Sequence, residues 1–205
     1  MTQALTKIVT FDEFIALYPE NHGRRYELHN GKIMEIAQPI GRHERIKGFL
    51  AAELTLEFTQ SDLPYFIPNQ TIVKPATKES GYFPDLLIIN EPALIDEPLW
   101  ERYSTVIHGT SIALVIEIVS GNWRDDYCLK LTDYEEMKIP EYWIIDHAAL
   151  GPSRFIGYPK QPTISIYRLV NHKYKVSRFQ IGDYIPSPTF PDLILSIEKL
   201  FEGII

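Results

Sequence analysis

With 205 residues, the chain can bury one good hydrophobic core, and nothing marks a division, so a single domain over residues 1–205 is expected. Apolar residues make up 45% and charged residues 23%, yet no apolar run reaches the roughly 18 residues of a helical membrane span. The formal net charge of −7 argues against a chain that coats nucleic acid non-specifically, because phosphate contacts need concentrated Lys and Arg. The opening MTQALTKIVTFDEF has no basic segment followed by a long apolar one, so no secretory signal is expected. A lone cysteine, Cys128, can form neither an internal disulfide nor a cysteine zinc site. Both features point to a reducing, cytoplasmic setting.

In chain order, Thr10 with Glu13 three residues on is a capping box for a short packing helix ending before Pro19. Residues 25–37 read as a hairpin about Asn30-Gly31, the strongest two-residue turn signal. Glu27 lies on its first strand, where alternation leaves it either solvated or facing a site. From Gly41 to Thr59, Ile46, Phe49, Leu50, Leu54 and Phe58 form the stripe of a long amphipathic helix. His43 falls in its first turn, a place for capping or packing that also permits proton transfer or a substrate contact.

Pro64 to Pro75 reads as one strand, and Phe83 to Asn90 as a second that carries Asp85. Glu91 to His108, with Pro92 and Pro98, reads as a loop or short helix able to border a site. Ser111 to Ser120, SIALVIEIVS, has the β-branched content of a strand buried on both faces. It carries one acid, Glu117. An unpaired carboxylate in a dry interior costs several kcal/mol, so Glu117 is expected at the strand's wet end, paired, protonated or holding a metal.

Asp125 to Lys138 follows as a helix on the spacing of Tyr127, Leu131 and Tyr134, and Glu141 to Asp146 as a further strand. The order strand, helix, strand implies a crossover packed on one sheet. Residues 164–170 and 174–181 pair about Asn171-His172-Lys173, and a short helix near Leu195 to Phe201 closes the chain.

Two strand acids, Asp85 and Glu117, can converge although they are distant in sequence. Hard cations such as Mg²⁺ take one or two carboxylates, waters and phosphate oxygens, which is what a phosphodiesterase uses to lower the pKa of water and to stabilise charge on phosphate. A lysine beside them would add positive charge. Lys130 is the candidate, because Asp126, Lys130 and Tyr134 are spaced i, i+4, i+8 along one side of the helix. The plainer account is a surface Asp126–Lys130 pair worth a few tenths of a kcal/mol. The overall acidity is compatible with such a site, and the basic stretch GRHERIK from Gly41 can still steer a polyanion.

Taken together, Tyr26-Glu27-Leu28 with Asn30-Gly31-Lys32, Pro84-Asp85-Leu86, Val115 to Ser120, the trio Asp126, Lys130 and Tyr134, and Glu141-Tyr142-Trp143 resemble the Uma-type putative restriction endonuclease family, from about Thr10 to the C-terminus. That family is part of the PD-(D/E)XK nuclease superfamily. The resemblance implies an α/β (α+β) fold, a restriction-endonuclease-like mixed central β-sheet flanked by helices, with an added N-terminal hairpin and a C-terminal β-hairpin. It implies a DNA endonuclease in which Asp85 and Glu117, with the backbone carbonyl of Ile118, hold Mg²⁺, with Mn²⁺ as a substitute. The superfamily lysine two residues after the glutamate is replaced here by Val119. In the family it is thought to have moved to the following helix, at the position of Lys130. Glu27 would support the site or contact the metal, with Asp126 and Tyr134 as supporting residues.

Two other readings stay open. One is a catalytically inactive binding or interaction module that kept the nuclease scaffold, to which the acidity and Val119 point. The other is a metal-free pair of carboxylates flanking a sugar. His22, His29, His108, His147 and His172 show no metal-ligand spacing and are taken as structural. Double-strand cutting needs two sites, which makes a homodimer plausible.

Overall fold

The structure is a computed structural model that describes residues 8–17 and 24–202; Pro19, His22 and the first seven residues lie outside these. The capping box forms: the Glu13 N–H donates to Thr10 Oγ1 at 3.2 Å and the Thr10 N–H to Glu13 Oε2 at 3.0 Å. It opens α1 (Phe11–Leu17). The hairpin follows as β1 (Arg25–His29) and β2 (Lys32–Ile36), with Glu27 opposite Met34. Asn30 and Gly31 take φ of 49° and 78°, the left-handed pair a two-residue turn requires. A Cβ on Gly31 would lie 2.2 Å from the Ile8 side chain.

The long helix α2 (Gly41–Gln60) buries Ile46, Leu50, Leu54 and Phe58 at intervals of four. The strand expected over Pro64 to Pro75 is instead two short ones, β3 (Tyr65–Phe66) and β4 (Ile72–Val73). Pro68 lies between them and offers no N–H to a ladder. β5 (Leu86–Asn90) begins one residue after Asp85, which therefore belongs to the segment entering the strand. Glu91–Asp96 winds as a 3₁₀ turn, followed by α3 (Trp100–Tyr103) and β6 (Thr105–Val106).

Next comes β7 (Ile112–Ile118). The helix after it starts with a π-helical turn, Asp125–Lys130, and continues as α4 (Leu131–Glu136). The chain then gives β8 (Glu141–Asp146), α5 (Ser153–Ile156), β9 (Thr163–Val170) and β10 (Lys173–Phe179). It ends in β11 (Tyr184–Ile185), β12 (Leu195–Ser196) and α6 (Ile197–Phe201).

Six strands form the central sheet in the order β10-β9-β8-β7-β5-β3. Only the β7–β8 pair within it is parallel. The sheet is mixed, as expected, and the β9–β10 hairpin forms one edge of it. Alternation along β7 divides the core. Leu114, Ile116 and Ile118 pack with Ile46, Leu50, Leu54, Trp143 and Leu200 on the α2 and α6 face. Val115 and Val119 join Tyr82, Tyr127, Tyr134 and Tyr142 on the opposite face. A third cluster, with Phe11, Phe14, Leu28, Ile72 and Phe83, fastens α1 and the β1–β2 hairpin to the segment ahead of β5.

The tyrosine face is pinned by a fully buried acid. Asp133 accepts from Tyr82 OH at 2.6 Å and from Lys78 Nζ at 2.5 Å. Hydrogen bonds to a charged group contribute about 1.5–3 kcal/mol, so Tyr82→Phe is expected to lower the unfolding free energy by that amount in urea titration. A variant as stable as wild type would show that Lys78 alone satisfies Asp133.

Candidate functional site

Glu117 faces the tyrosine layer because it shares β7's parity with Val115 and Val119. The β7-to-β8 connection joins parallel strands, so it must cross over a face of the sheet. The helix it carries brings Lys130 to Glu117. Lys130 Nζ donates to Glu117 Oε1 at 3.0 Å, and Tyr134 OH donates to the same oxygen at 3.2 Å. Asp126 Oδ1 stands 3.7 Å from that ammonium, and Tyr142 OH holds the Asp126 carbonyl at 3.1 Å. Asp126, Lys130 and Tyr134 thus share one side of the helix through its π-helical turn, a distortion that often accompanies functional positions. The Asp126–Lys130 pair is buried, in contrast to the surface pair that spacing alone allowed.

The hairpin supplies the next residues. Alternation on β1 sends Tyr26 and Leu28 into the third cluster and Arg25, Glu27 and His29 to the cleft. Glu27 Oε1 lies 3.2 Å from Lys130 Nζ and accepts the Phe83 N–H at 2.9 Å; Glu27 Oε2 lies 2.7 Å from His29 Nε2. Two residues past Phe83, Asp85 Oδ2 accepts the Ile118 N–H at 2.8 Å. Asp85 is thereby docked on the residue after Glu117, and the Ile118 carbonyl faces the same edge of β7 as its N–H.

His43 closes the arrangement, with Nε2 3.0 Å from Asp85 Oδ2. His43 and His29 both touch acids of the site, so neither is only a packing residue. Signals for both lie in the sequence: His43 is seven residues before Leu50, a polar group on α2's apolar stripe, and His29 is two after Glu27 on the same strand face. His147, on the loop after β8, lines the same cleft, and burial lowers its pKa.

Three carboxylates share one lysine, with Asp85 beside them. Burial works against the Lys130 charge, but Glu117, Glu27 and Asp126 together raise its pKa well above the ordinary value. Glu27 overcomes its own burial through Lys130, His29 and the Phe83 N–H, and its pKa is lowered. Glu117 is held well above the usual carboxylate range by burial, against Lys130 and with Asp126, Asp85 and Glu27 adding to the shift. Asp126 is pushed up to about 7 by burial and by Asp85, Glu27 and Asp125 against Lys130. His43 is raised because Asp85 and Glu44 overcome its burial.

The cluster therefore carries more carboxylates than its own cations neutralise. That is the electrostatic signature of a site suited to an added cation. Among the described residues no three His, Cys, Asp or Glu side chains converge as a metal cage. A hard divalent cation held by two carboxylates, a backbone carbonyl, waters and phosphate oxygens needs no such cage. Asp85, Glu117 and the Ile118 carbonyl fit that donor set. They border a cleft of about 420 Å³ that also holds Arg25, His29, His43 and Lys130.

A family model described as "Uma2: Putative restriction endonuclease" matches residues 11–198, almost the whole chain. Among solved structures, a putative nuclease belonging to DUF820 from Anabaena variabilis ATCC 29413 is similar in fold, with a TM-score of 0.70 at 19% identity. The similarity covers 96% of this chain and 99% of that one. No curated protein matches the chain. No helix among the described residues is long and apolar enough to cross a membrane.

Proposed function

The chain belongs to the Uma2 putative restriction endonuclease family, and from that membership we propose that it is a divalent-metal-dependent DNA endonuclease acting through Asp85, Glu117 and Lys130. The observation that carries this reading is one buried ammonium contacting Glu117 and Glu27, beside an Asp85 docked on the backbone of Ile118. Mg²⁺, or Mn²⁺ in its place, held by Asp85, Glu117 and the Ile118 carbonyl, would polarise the phosphate and lower the pKa of a bound water.

The protein's own groups do the rest. Lys130, fully charged, donates toward the attacking water or the charge developing on phosphate. Asp126, with a pKa of about 7, is in the range of a general base at neutral pH and takes the water's proton. Tyr134 stays neutral, since burial and then Glu117 and Glu27 raise its pKa, and it fixes the Glu117 oxygen that Lys130 shares. His43 orients Asp85. Cutting both strands takes two such sites, so the proposal includes a homodimer, working in the cytoplasm where Cys128 stays reduced.

The test is supercoiled plasmid and single-stranded DNA in Mg²⁺, Mn²⁺ or chelator, with wild type, Asp85→Ala and Glu117→Ala. Metal-dependent nicking is expected to fall at least about 100-fold in both variants, the scale of removing one group that stabilises transition-state charge. Metal titration followed calorimetrically is expected to lose its binding isotherm in both. Nicking that persists in chelator, or equal nicking by the variants, would overturn the assignment. No cleavage by wild type under any condition would favour the binding module, to which Val119 at the usual lysine position points.

A further inference from the structure

A second recess meets the acidic cleft at Asp85. It has a volume of about 280 Å³ and is walled by Arg25, Lys47, Asn69, Gln70 and Thr71. Arg25, Phe83 and Asp85 border both hollows, so Asp85 stands on the ridge between them. The two sides have opposite character. The cleft gathers Glu27, Glu117, Asp125 and Asp126 around Lys130, whereas among the described residues the recess has Asp85 as its only acid and presents two cations.

Those cations are not occupied elsewhere. The Arg25 and Lys47 side chains are half-buried and make no hydrogen bond or ion pair among the described residues, unlike Arg24, which pairs with Glu35 at 3.1 Å. Holding two cations part-buried without partners opposes stability, a cost that an anion seated between them would remove. Their placement follows from the elements. Arg25 is two residues before Glu27 on the cleft-facing side of β1. Lys47 is one helical turn beyond His43 on α2, the residue that touches Asp85. Asn69 and Gln70, both exposed, add amide donors and acceptors.

We propose that this recess is the subsite for the phosphate next to the one being cut: a polynucleotide strand passes over Asp85, with the flanking phosphate on Arg25 and Lys47 and the adjoining sugar or base against Asn69 and Gln70. The inference rests on the nuclease reading for the identity of the reacting phosphate. It adds that the substrate is a strand of at least two linked phosphates, gripped on one side of the break by Lys47 and by Arg25 on the shared wall.

The experiment is fluorescence anisotropy of a labelled phosphorothioate oligothymidylate, which keeps the backbone charge, titrated with protein in Mg²⁺ at several salt concentrations. Each phosphate contact to a single strand contributes about 0.7 to the slope of log affinity against log salt. Because both cations hold one phosphate, Arg25→Ala and Lys47→Ala are each expected to lower the slope by part of that amount, and the double variant by about 0.7 with at least about tenfold weaker binding at moderate salt. Lys47→Arg, which keeps the charge, is expected to keep the slope. So is Lys175→Ala, an exposed change on β10 at the far edge of the sheet.

Unchanged slopes in the Arg25 and Lys47 variants, or no binding by wild type, would overturn the subsite. Hydrolysis of bis(p-nitrophenyl) phosphate by wild type, measured alongside, separates the two proposals. If that minimal diester is cleaved while the slopes are unchanged, the nuclease stands and the subsite falls. If nothing is cleaved but the slopes drop as stated, phosphate binding by the recess stands and the nuclease reading falls.

Discussion

The Lys130→Met protein is expected to unfold about 3–5 kcal/mol more easily than wild type at neutral pH, the cost of leaving a buried charge without its partner. Lys130 is the common partner of Glu27, Glu117 and Asp126, at 3.2, 3.0 and 3.7 Å. Methionine replaces the stem and removes the charge. The acids left behind can only repel one another or take up protons. Metal-dependent nicking is expected to vanish in the same protein.

Stability and turnover can be told apart with a second substitution. Glu117→Gln in the Lys130→Met background removes one of the acids left without its partner, so part of the lost stability returns while activity does not. Urea unfolding of the four proteins in the cycle gives the coupling between the two side chains directly. Additive effects would mean that the 3.0 Å contact carries no energy, and the shared-lysine account of the site would fail.

The second large effect is in the pH dependence of the metal-free protein. Burial, with Asp85, Glu27 and Asp125, pushes the Asp126 carboxyl up to about 7 in the fold, and burial displaces Glu117 in the same direction. A carboxyl raised by folding binds its proton more tightly in the native state. Its contribution is fully present below the unfolded value and is lost as pH rises through the folded one. Glu27 is displaced downward and works in the opposite sense, losing its contribution as pH falls through its lowered pKa.

Two raised acids against one lowered acid predict a melting temperature, measured in chelator, that falls between about pH 4 and pH 7. Asp126→Asn, which cannot ionise, is expected to flatten that fall. Added Mg²⁺ is expected to raise the melting temperature more at pH 8 than at pH 5, since it competes with protons for the same carboxylates. A midpoint that is level across this range, or a wild-type slope in Asp126→Asn, would show that the cluster's acids are ionised without cost.

Much of the site's make-up was legible in the residues themselves. An acid in SIALVIEIVS is conspicuous because a strand buried on both faces has no room for an unpaired charge. The spacing of Asp126, Lys130 and Tyr134 marked one helix side before any fold was known, and that side is the one that meets Glu117. Asn30-Gly31 announced its hairpin through the left-handed backbone that few other residues accept. The break at Pro68 was missed, as was the start of β5 after Asp85, because the apolar pattern runs on past the end of backbone pairing.

What the sequence determined by itself was local: the periods, turns and caps, and the fact that Glu117 and Lys130 carried charge into apolar surroundings. The tertiary structure alone decided which charges meet. His43 is forty-two residues from Asp85 in the chain, and Glu27 is over a hundred from Lys130; no spacing rule links such positions. Their contacts arise because the β1–β2 hairpin, α2 and the crossover helix all pack around the end of β7 where Asp85 enters β5. Periodicity fixes the direction in which a side chain leaves its own element, and only the packing of those elements fixes what it finds there.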